Sequence, residues 1–481
     1  MTPLLKSVKW GVSCTLTLIN YGADVKIVAS NGNTALHQIF SEEVGSVLTL
    51  FDTTELLLKT GVEQFINCRD RNGESPMHLL VSHITRQNSD IGKAEIPPHD
   101  LAWKNPSMPN QEYQDQVIHT LKLLLQFNAD AGILNDHGLD CLGTLLHSSL
   151  GSSMGESAML LFHEPNFHCL PGSSFRYCKI NYGYLYQALK ILINYGSDIN
   201  RPGPNGATPL YIYFQCILNE DPTNLIAQSD AIIQVLDLLL SEGGQLQEKA
   251  RGYFSVVSEF AGYLNCMVDK RIISEFSSLI CRLLAVSVKN GQDPNKIDNV
   301  KWEDSMGFPR CQSRSALDHF MVLIENFSWK NQQLLEIRKW LKVLFQLGAD
   351  PDLQPNPAKF VVCHSQSHIY LKRLGSQALN ACVTNRNMFM DYAVEFFMLF
   401  YNTMSHDVLY TYLNASKVTL NPARNNGCEI SRAVMNLAEN PRSMKQISRV
   451  VIYKSIARQV TERVPKLPLP SALKEYLLEI Y

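Results

Sequence analysis

The sequence predicts an all-α protein, in which a solenoid of about seven to nine divergent helical repeats with insertions precedes a small C-terminal module of three helices. Two observations predict the solenoid. A glycine turn followed by a helix start recurs along the chain, and each copy is followed by a leucine-rich helix that ends in another turn. Stacked helix pairs bury apolar faces that a single pair would leave exposed. The module is predicted by an amphipathic helix and a proline-spaced apolar segment after residue 440.

The turn and helix start are clearest in three segments, where a threonine or serine precedes the first helical residues. A hydroxyl at that place can cap free N–H groups, and proline suits the first helical turn. The clear copies are Asn31–His37, Asn72–Leu80 and Asn205–Leu210, and weaker copies begin at Thr2, Asp140 and Ser315. These segments resemble the Gly-x-Thr-Pro-Leu-His-x-Ala motif of ankyrin repeats. Because the Thr2 copy lacks its preceding turn, a trimmed first repeat and a longer protein are both open.

Seven leucine-rich helices are each predicted to end in a glycine turn, since glycine accepts the positive φ of a helix C-terminus. Seven endings indicate at least seven repeats. The segments are Leu18–Asp24, Leu56–Gly61, Leu121–Asp130, Ile191–Asn200, Val235–Gly243, Leu283–Asn295 and Trp340–Asp350.

Two intervals between helix starts, Ser75 to Asp140 and Asp140 to Thr208, are close to twice the ankyrin period of about 33 residues. Each contains a single leucine-rich closing helix, which favours insertions over missed repeats. Insertions of this kind form loops on one face, often the binding face. We place them at Ile84–Gln114, at Ser148–Tyr184 and near Leu218–Ser229, with a further degenerate repeat within Gln245–Ser278.

Aromatic side chains are concentrated around the second insertion, and two interpretations of them are open. Tyr182, Tyr184 and Tyr211 are candidate contacts for a bound protein, since tyrosine is frequent at binding hot spots. They could equally belong to the core. His37 and His78 invite an acid–base role, but the ankyrin resemblance implies that they hold the turn together by hydrogen bonds.

The end of the solenoid is predicted at Leu379–Met404, whose helix Tyr392–Phe400 is rich in aromatic residues. A terminal repeat needs a cover for its apolar face. Helices at Val408–Leu420 and Ile430–Leu437 are predicted to supply it. This divides the chain into a repeat array at 1–403, a helical connector at 404–440 and the C-terminal module at 441–481.

The module begins with a predicted amphipathic helix that Ser443 can cap. Pro465 then stops the helix, and two prolines hold Leu467–Pro470 in an extended form that costs little further ordering on binding. Helical spacing resumes from Ser471 to Tyr481. The apolar stripe of the first helix, interrupted by two serines, consists of Met444, Ile447, Ser448, Val451, Ile452, Ser455 and Ile456.

This segment resembles a SOCS box. Pro441, Ser443, Met444, Lys445, Ile447, Ser448 and Arg449 follow the elongin-binding pattern Pro-x-Ser-Leu-Lys-x-Leu-Cys-Arg, with methionine for leucine and serine for cysteine. Val464, Leu467, Pro468, Leu469, Pro470, Leu473, Tyr476 and Leu477 match the cullin-binding pattern throughout. The resemblance implies that Met444, Ile447, Ser448, Val451 and Ile452 face elongin C, and that Leu467 to Pro470 with Leu473, Tyr476 and Leu477 select the cullin.

Together the two patterns resemble the ankyrin-repeat and SOCS-box family. This resemblance implies a non-catalytic adaptor of a ubiquitin ligase, whose array binds an unidentified target protein. Its box recruits elongin B, elongin C and cullin-5 with its RING subunit. The alternative is an ankyrin scaffold whose altered box no longer recruits a ligase. Access to Leu467–Pro470 distinguishes them: a free segment favours recruitment, and one packed on Phe396–Phe400 favours the scaffold.

The composition agrees with a non-catalytic adaptor protein. The 43 basic and 45 acidic residues give no electrostatic footprint for nucleic acid or a membrane surface, and no secretory or membrane-spanning stretch is present. Twelve cysteines without paired spacing suit a reducing, cytoplasmic setting, with the nucleus left open. No phosphate loop, nucleophile elbow or zinc-protease helix occurs, and no cofactor is expected. The zinc-ligand types His163, His168, Cys169 and Cys178 cluster in the second insertion, but their spacing favours an ordinary loop. A third interpretation, an enzyme with its site in the insertions, would need a bound metal at His163 and Cys169.

Overall fold

The computed structural model describes most of the predicted helices. It covers residues 2–8, 11–41, 50–82, 84, 110–149, 180–203, 206–220, 222–245, 273–296, 298–303, 309–317, 331–353, 387–419, 432, 435–437, 439–440, 442–456, 458 and 460–479. The chain divides into two compact units, Met1–Ala250 and Arg251–Tyr481. No helix within this coverage is both long and apolar enough to cross a bilayer.

The first unit consists of two layers of stacked helices. Its helices are α1 (Pro3–Ser7), α2 (Val12–Asn20), α3 (Ala35–Ile39), α4 (Leu50–Lys59), α5 (Pro76–Ser82), α6 (Asn110–Gln126), α7 (Cys141–Ser149), α8 (Tyr182–Asn194), α9 (Pro209–Asn219), α10 (Pro222–Ala227) and α11 (Ser229–Ser241). Helices α1, α3, α5, α7 and α9 pack in sequence in one layer, and α2, α4, α6, α8 and α11 pack in sequence in the other. The predicted helical fold is confirmed here, with helix pairs that share a core between the layers.

One turn recurs ahead of α3, α5, α7 and α9. In each copy an N–H donates to the carbonyl four residues later, and a glycine with φ between 72° and 82° closes the turn. The left-handed backbone explains why glycine is used at that place. The paired residues are Ala29 with Asn33, Asp70 with Glu74, Asn135 with Leu139, and Gly203 with Ala207.

The seven predicted helix endings each contain a residue with positive φ. Six use glycine, for example Gly243 at 83°, after which the N–H of Gly244 donates to the carbonyl of Leu239 at 2.8 Å. The third ending departs from the prediction, because Asn128 at 64° takes the place of glycine. Asparagine is the residue besides glycine that most readily adopts this conformation.

Neighbouring turns are joined directly. The N–H of Arg71 donates to the carbonyl of Asn31, and the N–H of Asp136 donates to the carbonyl of Asn72, both at 3.1 Å. Among the described residues, the interval between the turns at Asn72 and Asp136 contains one helix pair, α5 and α6. The sequence assigned this interval to a repeat with an insertion. Gln114 Nε2 also donates to the Ile84 carbonyl at 3.3 Å, which brings the ends of that insertion together. The insertion interiors at 85–109 and 150–179, including His163, His168, Cys169 and Cys178, lie outside the described residues.

Within the residues that the structure describes, the second unit is helical apart from one β-hairpin. Its elements are α12 (Ile273–Lys289), β1 (Asp298–Glu303), β2 (Pro309–Arg314), α13 (Asn331–Gln346), α14 (Asn387–Thr403), α15 (His406–Thr419), α16 (Met444–Ser455), α17 (Val460–Arg463) and α18 (Ser471–Leu478). The strands pair antiparallel, with Val300 opposite Gln312. The hairpin corrects the all-α expectation. Val300 and Trp302 alternate with polar residues, a period of two that a search for helical spacing passes over.

Aromatic side chains form the core of this unit. Trp340 is fully buried, and its Nε1 donates to Ser277 Oγ at 2.5 Å. The aromatic helix predicted at Tyr392–Phe400 lies within α14, where Phe397 and Phe400 are buried. Helix α15 lies where the sequence predicts a cover, and its Tyr412 ring lies 6.4 Å from that of Phe397. Half of the second predicted cover, Ile430–Leu437, lies outside the described residues.

Candidate partner-binding site

Helix α16 begins at the serine that the sequence predicts as its cap. Ser443 Oγ accepts the N–H of Gln446 at 3.3 Å, and Gln446 Oε1 accepts the N–H of Ser443 at 2.9 Å. This reciprocal pair is a capping box, which satisfies two N–H groups that a helix start otherwise leaves free. The helix start is therefore fixed by local sequence.

The faces of α16 differ sharply in exposure. Met444 is 76% exposed and Val451 is 60% exposed, while Ser448 between them is also exposed. Ile447 and Ile452 flank this stripe and are half-buried. Large apolar side chains grouped on the surface mark interaction sites. The five residues assigned to elongin C thus lie together on an outward face. Ile456, which the sequence placed on the same stripe, is buried instead.

The opposite face of α16 carries the contacts that hold the module together. Val450, Tyr453 and Ile456 are buried there, as is Arg449. The Tyr453 hydroxyl donates to the carbonyl of Leu477 on α18, and burial raises the pKa of this hydroxyl. Among the described residues, these contacts lie on the face of α16 away from the exposed Met444, Ser448 and Val451.

The proline-spaced segment follows a short 3-10 helix, Val464–Lys466. Leu467 is extended, at φ −68° and ψ 144°, and Pro470 begins α18. Pro468 and Pro470 are exposed, and Leu467 and Leu469 keep part of their surface. The segment is therefore accessible, which is the arrangement that favours recruitment over a purely structural role.

Helix α18 divides its predicted cullin residues between surface and interior. Leu473 is 45% exposed, whereas Leu477 is buried and so is not presented to a partner in this state. Tyr476 is half-buried, with Lys445 Nζ 4.0 Å and Arg449 Cζ 3.6 Å from its ring centroid. Arg449 Nη2 also donates to the Tyr476 carbonyl at 2.5 Å. Tyr476 and Leu477 thus fasten α18 to α16, a role that the sequence motif alone did not reveal.

The three tyrosines proposed as target contacts lie in the interior of the first unit. Tyr182 is fully buried, with its ring edge-on to Tyr213 at 6.3 Å. Tyr184 donates its hydroxyl to Asp115 Oδ1 at 2.8 Å, and burial together with this carboxylate raises the pKa of Tyr184 to about 12. Tyr211 is almost fully buried as well. The proposed surface role of these tyrosines is therefore wrong, and they belong to the core, because all three side chains are buried.

His37 and His78 have the hydrogen bonds that a structural role requires. His37 Nδ1 accepts the N–H of Thr34 at 3.2 Å, and its Nε2 lies 3.0 Å from the Glu74 carbonyl of the next turn. His78 repeats this arrangement with the Ser75 N–H at 3.1 Å and the Leu139 carbonyl at 3.1 Å. Each ring is therefore neutral, with its proton on Nε2, and burial lowers both pKa values.

Residues 440–478 match the family model of the SOCS box. No curated protein shows a significant match to the chain. Among the described residues, no group of three or more His, Cys, Asp or Glu side chains is arranged to hold a metal ion. The matched segment covers the capped helix α16, the accessible proline segment and α18. A SOCS box is thus found at the C-terminal end of this chain, which indicates in general terms an adaptor that links elongin B and C and a cullin to another protein.

Proposed function

We propose that this chain is the non-catalytic substrate receptor of a ubiquitin ligase built on elongin B, elongin C and cullin-5. The observation that carries the proposal is the pair of exposed apolar side chains Met444 and Val451, with Ser448 between them, within the matched SOCS box. Exposing such side chains to water is unfavourable, at about 25 cal/mol per Å² of apolar surface. A partner that covers the stripe recovers this free energy.

The array is proposed to consist of ankyrin repeats that bind the protein to be ubiquitinated. Supporting features are the stacked helix pairs, the recurring glycine turn and the His37 and His78 links between successive turns. Loops that project from a rigid repeat scaffold commonly carry recognition residues. The insertions at 84–114 and 148–184 are therefore the proposed target-binding segments.

Catalysis is proposed to belong to the ligase partners. By holding a target near a loaded conjugating enzyme, the chain turns an encounter in solution into one within a complex. This raises the effective concentration of the target's lysines near the enzyme. Short flexible linkers give effective concentrations in the mM range. Such an adaptor needs a stable array, an accessible box and no reactive side chain of its own.

The decisive experiment is co-expression of the full chain with elongin B and elongin C, followed by size-exclusion chromatography of wild type and Val451→Asp. Val451 is exposed, so the aspartate leaves folding intact but places a charge inside the proposed apolar interface. We expect the wild type to co-elute with the elongins and the variant to elute alone, at an unchanged melting temperature.

Leu16→Asp is the matched control, because Leu16 is a 40% exposed apolar residue on α2, outside the box. It should co-elute as the wild type does. A wild-type chain that is folded and monodisperse but does not bind the elongins would overturn the proposal and favour the scaffold alternative.

A further inference from the structure

Three asparagines join successive repeats by the same pair of hydrogen bonds. In each, the side-chain NH₂ donates to a carbonyl in the next closing turn, and Oδ1 accepts the N–H two residues after that carbonyl. We call this pair an asparagine bridge. The bridges are Asn67 with the Asn128 carbonyl (3.2 Å) and Asp130 N–H (2.8 Å), Asn200 with Gly243 (3.0 Å) and Gln245 (2.7 Å), and Asn295 with Gly348 (2.9 Å) and Asp350 (2.6 Å).

Asp352 occupies the equivalent place in the following turn. Asn200 and Asn295 each donate their own N–H to an aspartate two residues earlier, at 2.9 and 2.8 Å. Asp352 does the same to Asp350, at 3.0 Å. Its Oδ1 then accepts the N–H of Ser405 at 2.9 Å, as an asparagine Oδ1 would.

The other half of the bridge is chemically impossible for an aspartate. The carbonyl two residues before Ser405 belongs to Thr403, and a carboxylate has no N–H to donate to it. A buried carbonyl without a donor is costly. Asp352 therefore leaves one acceptor, the Thr403 carbonyl, that another side chain must satisfy.

Arg458 of the SOCS box supplies the missing donor. Its Nη1 donates to the Thr403 carbonyl at 2.6 Å, and its Nη2 donates to Asp352 Oδ2 at 2.7 Å. Nη2 also lies 2.8 Å from Asp350 Oδ1, and Arg458 is only 5% exposed. One guanidinium and one carboxylate thus replace the amide of a single asparagine.

A second arginine binds the neighbouring carbonyl. Arg442 precedes α16, and its Nη1 donates to the Met404 carbonyl at 2.8 Å, whereas Arg458 follows α16. The two arginines meet consecutive carbonyls at the C-terminal end of α14. Cations are favoured there, because a helix C-terminus carries partial negative charge. Helix α16 is therefore held at both ends.

We propose that Arg458 is a positioning residue that completes the bridge left unfinished by Asp352 and thereby fixes the orientation of the SOCS box on the last helix pair. An asparagine in place of Asp352 would make a complete bridge by itself and release the box. The significance for ubiquitin transfer rests on the proposed function, since a fixed box would hold recruited partners at a defined angle to α14.

The test compares Arg458→Met, Asp352→Asn and the double variant in the full chain. Arg458→Met leaves the buried Thr403 carbonyl without its donor, while Asp352 keeps the Ser405 N–H and the ammonium of Lys454, whose Nζ lies 3.3 Å from Asp352 Oδ2. We therefore expect the melting temperature of this variant to fall by about 2–4 °C or more. In the double variant the amide introduced by Asp352→Asn donates to the Thr403 carbonyl, so most of this loss should be recovered. Arg463→Met, at an exposed arginine of the same module, is the control and should melt as wild type.

Hydrogen exchange followed by mass spectrometry supplies the readout of orientation. In the double variant, amides of 387–419 should keep wild-type protection while those of 442–456 exchange several-fold faster. If Arg458→Met fails to fold, hydrogen exchange is measured in the Asp352→Asn single variant instead, and faster exchange of 442–456 is again expected. The proposal would be overturned if the double variant lost as much melting temperature as the two single variants together. It would also be overturned if exchange in 442–456 were unchanged. Neither readout uses elongin, so a failure to bind elongin would count against the proposed function alone.

Discussion

At the scale of single residues, Ser448 lies at the centre of the exposed stripe, where its hydroxyl is hydrated. A partner that covers the stripe must remove that water. Burying a hydroxyl without a hydrogen bond costs about 1–3 kcal/mol, whereas methionine in place of leucine at 444 costs less than about 1.5 kcal/mol. Ser448 therefore accounts for most of the expected loss of elongin-binding free energy.

We predict that Ser448→Cys tightens elongin B/C binding by about ten- to a hundred-fold, because a thiol is less costly to bury than a hydroxyl. Titration calorimetry of the purified chain with the elongin pair measures the change. Ser471→Cys, at an exposed position at the start of α18, is the control and should bind as wild type. Unchanged or weaker binding by Ser448→Cys would show that a hydrogen bond from elongin satisfies the serine.

The buried histidines make stability depend on pH. Their folded pKa values lie below the ordinary value near 6.5, so above that pH both states are neutral and no difference arises. As pH falls below 6.5 the histidines bind protons more readily in the unfolded chain than in the folded chain. Stability is therefore lost on acidification.

We predict that the free energy of unfolding falls between about pH 6.5 and 5, by at most about 1.4 kcal/mol per pH unit for each histidine. Urea denaturation at several pH values measures it. His78→Gln should flatten the curve relative to wild type, because one of the titrating rings is gone. An equally steep fall in the variant would assign the pH dependence to other groups.

At the scale of elements, the helix ends show what local sequence determines. Six of the seven endings have the predicted glycine and the third has Asn128 in its place, because positive φ selects glycine or asparagine at the end of a leucine-rich helix. The capped start of α16 was predictable for the same local reason. The hairpin at 298–314 was missed, since its short alternation lies between long helices. The Arg458–Asp352 contact was also missed, because it joins residues 106 positions apart that no periodicity connects.

Two substitutions test this account of helix ends. At Gly243 no atom lies within 4 Å of where a Cβ would be, so Gly243→Ala measures backbone strain alone. We predict a loss of about 1–2 kcal/mol. Asn128→Gly, which relaxes the same conformation, should instead be neutral or slightly stabilising. Chemical denaturation of both variants measures the changes, and equal losses would show that the φ angle is not the cause.

At the scale of the whole molecule, the SOCS box is part of the fold of the second unit as well as the site of proposed recruitment. It supplies Arg442 and Arg458 to the end of α14, and burial lowers the pKa of Arg442 to about 10, which leaves it charged at neutral pH. The domain boundary proposed between residues 440 and 441 therefore separates groups that are hydrogen-bonded to each other.

We predict that a chain ending at Asn440 is less stable than the full chain, with a lower melting temperature or a lower soluble yield. The Thr403 and Met404 carbonyls would lose their arginine donors, and Val451→Asp would not share this defect. Differential scanning fluorimetry of the two proteins measures the difference. A truncated chain that melts at the wild-type temperature would show that the arginines contribute nothing to the fold.

The direct links between neighbouring turns also bear on how such a chain can change in evolution. Asn72 and Asp136 are joined although the segment from 85 to 109 lies between them in the sequence. Because stacking is carried by the turns and helices, the length of the intervening segment does not alter the register of the next repeat. New sequence can therefore be gained or lost there while the inherited array stays in place.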